Sequence, residues 1–214
     1  MALRTLAELR SKVRDFIDED DEARWTDTEI DGYINMAYSE LVNKIRNAHT
    51  GYYETTGTVT TVANNKIATL PADFAGTITA LQDENNVPIQ HIDKRAFHLK
   101  GVLEFGTPTH YSFFGGTSIW LWKTPDAIYN FAIDYEYMPP ELDGDTDEIV
   151  YPVGYERNII WRTVIDCKLK DHQRLQELSA LLDRKEVEML KNLRPTQTFR
   201  SARARCLNTE RNRL

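Results

Sequence analysis

Cysteine is almost missing from this chain: Cys167, inside a helical pattern, and Cys206, in a basic stretch, are the only two in 214 residues. That excludes a disulfide framework and fits folding in a reducing cytoplasm. Long apolar runs are lacking as well, so no bilayer-spanning helix and no membrane partner is expected. The opening MALRTLAELRSK lacks the apolar segment of a signal peptide, and no targeting is expected. Catalytic signatures are also absent: there is no GxGxxG, phosphate loop with its Lys, GxSxG elbow, CxxC or HExxH. His49, His91, His98, His110 and His172 are scattered, and none has a second His or Cys at ligand spacing. Carboxylates are numerous enough for two to meet in a cleft as a glycosidase pair, which sequence cannot show. The reading is no enzyme, no cofactor and no metal.

What is present looks like an ordinary folded protein, 41% hydrophobic and 28% charged, with a net charge of −7. That charge opposes general nucleic-acid affinity, which needs a basic footprint. It is unevenly spread. Residues 15–31 carry nine Asp or Glu against Arg24, whereas residues 194–214 carry six Arg against Glu210.

The clearest helix signal runs from Arg24 to Ala48. Thr26 stands at an N-cap position with Glu29 three residues on, the pattern of a capping box, so a helix starts near Asp27. Ile30, Tyr33, Ile34, Ala37, Tyr38, Leu41, Val42 and Ile45 form one apolar stripe, with Asp31, Asn35, Glu40, Asn43 and Lys44 largely on the other side. At about 1.5 Å per residue this helix is roughly 33 Å long and can act as a spine. A shorter helix from Thr5 to Ile17 presents Leu6, Leu9, Val13, Phe16 and Ile17. The link DEDDEAR lacks the glycine and distal glutamate of a calcium loop and reads as a solvated acidic turn.

After Ala48 the texture changes to Thr, Val, Tyr and Gly with frequent turn residues, the signature of strands. A hairpin is expected from Thr55–Val62 and Lys66–Leu70 around Ala63-Asn64-Asn65, and another from Thr77–Gln82 and Val87–Ile92. One helical turn is expected at Lys94–Leu99. A third hairpin is expected from Thr109–Phe114 and Thr117–Lys123 around Gly115-Gly116. In the last strand Tyr129, Phe131, Ile133, Tyr135 and Tyr137 alternate with largely polar residues, until Met138-Pro139-Pro140 ends it. The aromatics of YSFFGGTSIWLW read by default as buried core; a stacking platform for single-stranded nucleic acid is the alternative, but only Lys123 is close in sequence. Trp120 and Trp122 on one face would also suit a sugar.

Asp143, Asp145 and Asp147 alternate like the start of a calcium loop, but Glu148 and Gly154 stand where its glycine and glutamate belong, so an acidic loop is the reading. Two helices then follow. Tyr155, Ile159, Ile160, Thr163, Val164 and Cys167 form one stripe; Leu175, Leu178, Leu182, Met189 and Leu193 form the other, up to Pro195. The fold class is therefore α+β: a helical bundle of N- and C-terminal helices (residues 1–50 and 141–194), an inserted antiparallel β lobe (51–140) and a flexible basic tail (195–214).

The order of these parts resembles the head-to-tail adaptor, or connector, proteins of tailed bacteriophages. Their "RW-T/S-D-x-E-I/L-x-x-Y-I/L-N-x-A" start is matched by Trp25, Thr26, Asp27, Ile30, Tyr33, Asn35 and Ala37. LPADF at Leu70–Phe74, GTPTHY at Gly106–Tyr111, the run from Pro125-Asp126 to Leu142, and Tyr151-Pro152 with Tyr155 follow in order. The resemblance implies a non-enzymatic virion protein, made in the host cytoplasm, that forms a homo-oligomeric, usually dodecameric, ring at the neck. The ring would lie between the portal protein and tail or nozzle proteins, with genomic DNA passing non-specifically through its lumen. From charge and position, Phe199, Arg200, Arg203, Arg205, Leu207, Arg211 and Arg213 are candidates for portal binding, by folding onto acidic side chains. Two other classes stay open: a carbohydrate-binding or wall-hydrolysing tail component, and a small host-cell adaptor.

Overall fold

Two threonines open the helical part. In the computed structural model, which describes residues 5–18, 24–99, 104–170 and 176–193, Thr5 and Thr26 each accept the N–H three residues on. Glu8 and Glu29 reach back to the two cap amides, so both helices start in capping boxes. In chain order the elements are α1 (Leu6–Ile17), α2 (Asp27–Asn47), β1 (Glu54–Thr60), β2 (Ile67–Thr69), β3 (Phe74–Gln82), β4 (Gln90–His91), α3 (Lys94–Leu99), β5 (His110–Phe114), β6 (Ser118–Trp122), β7 (Asn130–Tyr137), α4 (Arg157–Lys170) and α5 (Gln176–Leu193). The class is α+β. The chain divides into a helical unit, residues 1–52 with 141–214, and a β unit, Tyr53–Pro140, which interrupts it in sequence. No described helix is long and apolar enough to cross a membrane.

In the helical unit α4 packs against α1 and α2, and α5 packs against α4. Leu6, Leu9 and Val13 of α1 are buried, as are Ile30, Ile34, Ala37, Tyr38, Leu41, Val42 and Ile45 of α2, the predicted stripe less the half-buried Tyr33. Each buried Leu, Ile or Val among them contributes about 1.5–3 kcal/mol by leaving water. Phe16 departs from the expectation: it stands one turn past Val13, where α1 is ending at the left-handed Asp18, and it remains 43% exposed. On α5, Leu182 and Met189 are buried and Leu178 and Leu193 half-buried, while the predicted Leu175 lies outside the described residues. Between the two buried residues the stripe holds Glu186, also buried.

The β unit stacks two sheets, β1-β7-β3 and β2-β6-β5-β4, around Val59, Leu81, Tyr111, Ile119, Leu121, Phe131, Ile133 and Tyr135. β7 is central, which is why its inward alternation is so legible. The hairpin at Gly115-Gly116 forms, with Gly115 at φ 66°. Two other expectations are corrected. β1 and β2 do not pair with each other, because β1 joins β7 and β2 joins β6. After β1 the Thr61 N–H bonds the Tyr129 carbonyl and the Asn64 N–H that of Pro125, so the chain is carried across to the second sheet. The Asp83–Asn86 turn closes, with the Asp83 carboxylate accepting the N–H groups of Asn85 and Val87, yet its second arm soon leaves. Pro88 has no N–H to continue a ladder, and after the Ile89 N–H bonds Leu81 the chain crosses to run parallel to β5 as β4. The lobe is therefore mixed rather than purely antiparallel.

Two glycines should respond oppositely to a side chain. A Cβ on Gly57 would stand 3.0 Å from Cε1 of Tyr135, whereas one on Gly32, in the middle of α2, would meet nothing within 4 Å. Gly57→Val is expected to destabilise by about 1–3 kcal/mol through overpacking. Gly32→Ala is expected to stabilise by about 0.5–1 kcal/mol. Denaturant melts of the two variants check both signs.

Candidate functional surfaces

The residues of the RW-TD motif meet around Arg10 of α1. Its guanidinium donates to both carboxylate oxygens of Asp31 at 2.7 Å, to Asp145 at 2.8 Å and to Asp27 at 3.3 Å. Asp27 also accepts from Arg14 at 2.7 Å, and Arg14 reaches the Trp25 carbonyl at 3.0 Å. The bond with Asp31 leads in raising the Arg10 pKa, so the charge is permanent. Trp25 is buried and meets Tyr33 edge-on at 5.9 Å, while Ile30 lies in the core. Asn35 holds the backbone of Leu142 from both sides, accepting its N–H at 2.9 Å and donating to its carbonyl at 3.0 Å. The Tyr38 hydroxyl does the same at Val150, and the Leu6 and Ala7 N–H groups bond the carbonyls of Asp147 and Asp145. These motif side chains clamp the segment that returns after the β unit onto α1 and α2.

The acidic loop is organised by the same contacts. Asp145 pairs with Arg10, while Asp147 accepts the N–H groups of Gly144 and Asp143, the amides that hold its carboxyl below the usual range. Among the described residues no group of three His, Cys, Asp or Glu could hold a metal ion. A second ion cluster was hidden in sequence: buried Glu186 receives Lys44 at 2.7 Å, and Arg162 forks onto Glu40. Its only signal is a glutamate placed four residues after Leu182 and three before Met189.

The other motifs are also framework. Asp73 of LPADF accepts the Tyr135 hydroxyl at 2.8 Å, and its carbonyl accepts the Met138 N–H at 2.9 Å. In GTPTHY, Gly106 has φ 134° and its N–H bonds the Thr124 carbonyl. The aromatic face is half-buried at Trp120 and Trp122. Trp120 is stacked on Phe114, centroids 4.5 Å apart, with Phe97 at 5.6 Å, so its ring is not a bare platform for a sugar or a base. Trp122 meets His110 edge-on. Lys123 pairs with Glu104 at 3.8 Å, whereas Lys66 and Lys94, distant in sequence, come to 5.1 and 5.4 Å from the Trp120 centroid. Phe199, Arg200, Arg203, Arg205, Leu207, Arg211 and Arg213 lie outside the described residues.

What the two units hold together is a framework of clamps and capped helices, with the motif residues placed as structural parts. The model of the SU10 adaptor protein family matches residues 4–205. The chain belongs to that family, adaptors of tailed bacteriophages and structural components of the virion. No curated protein matches it.

Arg10→Leu would strand Asp31 and Asp145, while Asp27 keeps Arg14, and is expected to lower stability by about 2–3 kcal/mol, discounted for the exposure of Asp145. Lys12→Leu, which removes only an exposed pair with Asp15, should cost less than about 0.5 kcal/mol in the same urea titration. Tyr135 supplies a pH test. Burial, then its bond to Asp73, pushes its pKa up to about 12. Unfolded tyrosine ionises near about 10, so above that pH the unfolded chain holds fewer protons and stability falls as pH rises. Melts at stepped alkaline pH should show a shallower fall for Tyr135→Phe.

Proposed function

We propose that this adaptor forms a ring, dodecameric as in related connectors, beneath the portal at the virion neck, where it extends the DNA channel and offers the tail its platform. The family match over residues 4–205 carries this reading. The chemistry supports it. A subunit with a net charge of −7 suits a lumen through which DNA slides without sticking. A rigid helical unit clamped by Arg10, Asn35 and Tyr38 suits a ring body that must bear load, and the β unit would meet neighbours or tail proteins.

The basic tail would dock on the portal. The family match runs through Arg205 and so takes in Phe199, Arg200, Arg203 and Arg205. Guanidinium groups make paired, charge-assisted bonds to carboxylates, which fits acidic portal side chains.

Electron microscopy of the purified chain mixed with the portal ring of the same genome tests both parts. Density below the portal is expected with the full chain and should vanish when residues 195–214 are deleted, while the shortened chain still melts cooperatively. Retained binding after deletion would remove the tail assignment, and absence of binding by the full chain would remove the ring reading. A steep salt dependence of binding to DNA without portal would instead place the tail in the lumen.

A further inference from the structure

A regular strand at the edge of a sheet is a template for another chain unless something blunts it. Among the described strands β1, β3, β2 and β4 are edges, and three of these are blunted. β3 shifts register twice, between Phe74 and Ile78 and again before Ala80, with Gly76 at φ 105° inside the first shift. β2 has three residues and Pro71 soon after it, and β4 has two residues and Pro88 just before it. β1 has no such device. Its seven residues keep one unbroken register with β7, and the run from Glu54 to Thr60 holds no proline, no lysine and a single charge at its first position.

The pairing with β7 determines which backbone groups of β1 are open. The Thr61 N–H bonds the Tyr129 carbonyl and the Tyr137 N–H bonds that of Tyr53, so the odd-numbered residues of this strand face β7. The N–H and C=O groups of Glu54, Thr56, Thr58 and Thr60 therefore point away from it, and among the described residues none of them is bonded. All four side chains are exposed. The row is self-complementary. Turned about a two-fold axis at Thr58, it sets Thr58 against its own copy and Thr56 against Thr60 of the partner subunit, while Glu54 falls level with Val62 of the partner subunit, so no like charges meet. Paired β-branched side chains favour such a ladder. We propose that β1 pairs antiparallel with β1 of a second copy of this chain, joining two three-stranded sheets into one continuous sheet. The contact is two-fold, whereas neighbours in a cyclic ring are related by the ring's own rotation. It therefore goes beyond the ring reading: it belongs to the unassembled chain, whose open edge it covers.

Sedimentation of the purified full chain without portal, together with amide hydrogen exchange followed by NMR, tests this. Reversible dimers are expected at micromolar to submillimolar concentration. The amides of Thr56, Thr58 and Thr60 should gain protection as dimers form, whereas those of Thr55, Gly57 and Val59 should be protected throughout. Thr58→Pro deletes an N–H that the chain itself does not use, and should raise the dimer dissociation constant by about tenfold or more. Thr58→Lys sets like charges against each other at the axis and should do the same, less so in high salt. Thr58→Val should stay within about threefold of the unmodified chain. Unchanged melting midpoints at dilutions where every variant is monomeric show that folding is intact. A chain that stays monomeric, or dimers indifferent to both the proline and the lysine, overturn the pairing. Protection of these amides that appears only when tail proteins of the same genome are added gives the edge to a tail segment and overturns it too. The ring reading stands or falls separately, on portal loading.

Discussion

The guanidinium of Arg10 joins three parts of the chain that sequence keeps far apart. It grips Asp27 and Asp31 at the start of α2 and Asp145 beyond the whole β unit. Closing a loop of roughly a hundred residues costs about 4 kcal/mol of chain entropy, which contacts at the junction must offset. Arg10 does this with a bidentate fork, the geometry arginine offers and lysine does not. Asn35 and Tyr38 extend the junction by hydrogen-bonding the backbone of Leu142 and Val150, and those contacts also satisfy groups that would otherwise be buried unpaired. The first turn of α1 is finished in the same way, because its Leu6 and Ala7 N–H groups find carbonyls of the returning segment. Capping, charge and topology therefore meet at one place.

This explains which parts were legible in sequence. The capping boxes and the stripe of α2 are local, set by spacings of three and four, and the structure keeps them. The inward alternation of β7 is legible because this central strand buries Phe131, Ile133 and Tyr135 on one face. Sheet membership is not local. Val59 of β1 and Ala68 of β2 both point into the same core, and alternation cannot say which sheet each strand joins. That choice is made by Thr61 and Asn64 bonding the 125–129 loop and by Pro88 ending a ladder, contacts that no short window contains. Phe16 lies on the stripe but in the last turn of α1, just before the left-handed Asp18 ends the helix, and it stays 43% exposed there.

The candidate site shows the same division. Trp25, Thr26, Asp27, Ile30, Tyr33 and Asn35 are a recognisable motif, yet its order in sequence does not say whether it binds a partner or the chain itself. Within the chain these residues supply a buried ring, a cap, an ion pair, core packing and a backbone clamp. Glu186 and its pairing with Lys44 were invisible, since a glutamate between Leu182 and Met189 looks like a break in a stripe until α2 is seen to supply a cation to it.

The distribution of charge then separates framework from surface. Charges that build the fold are compensated within a few ångströms, as Arg10, Arg14 and Glu186 are, and a change there is felt as lost stability. Among the described residues Lys66 and Lys94 have no ion pair and lie over the Trp120 ring instead, so a change there is expected to cost little stability.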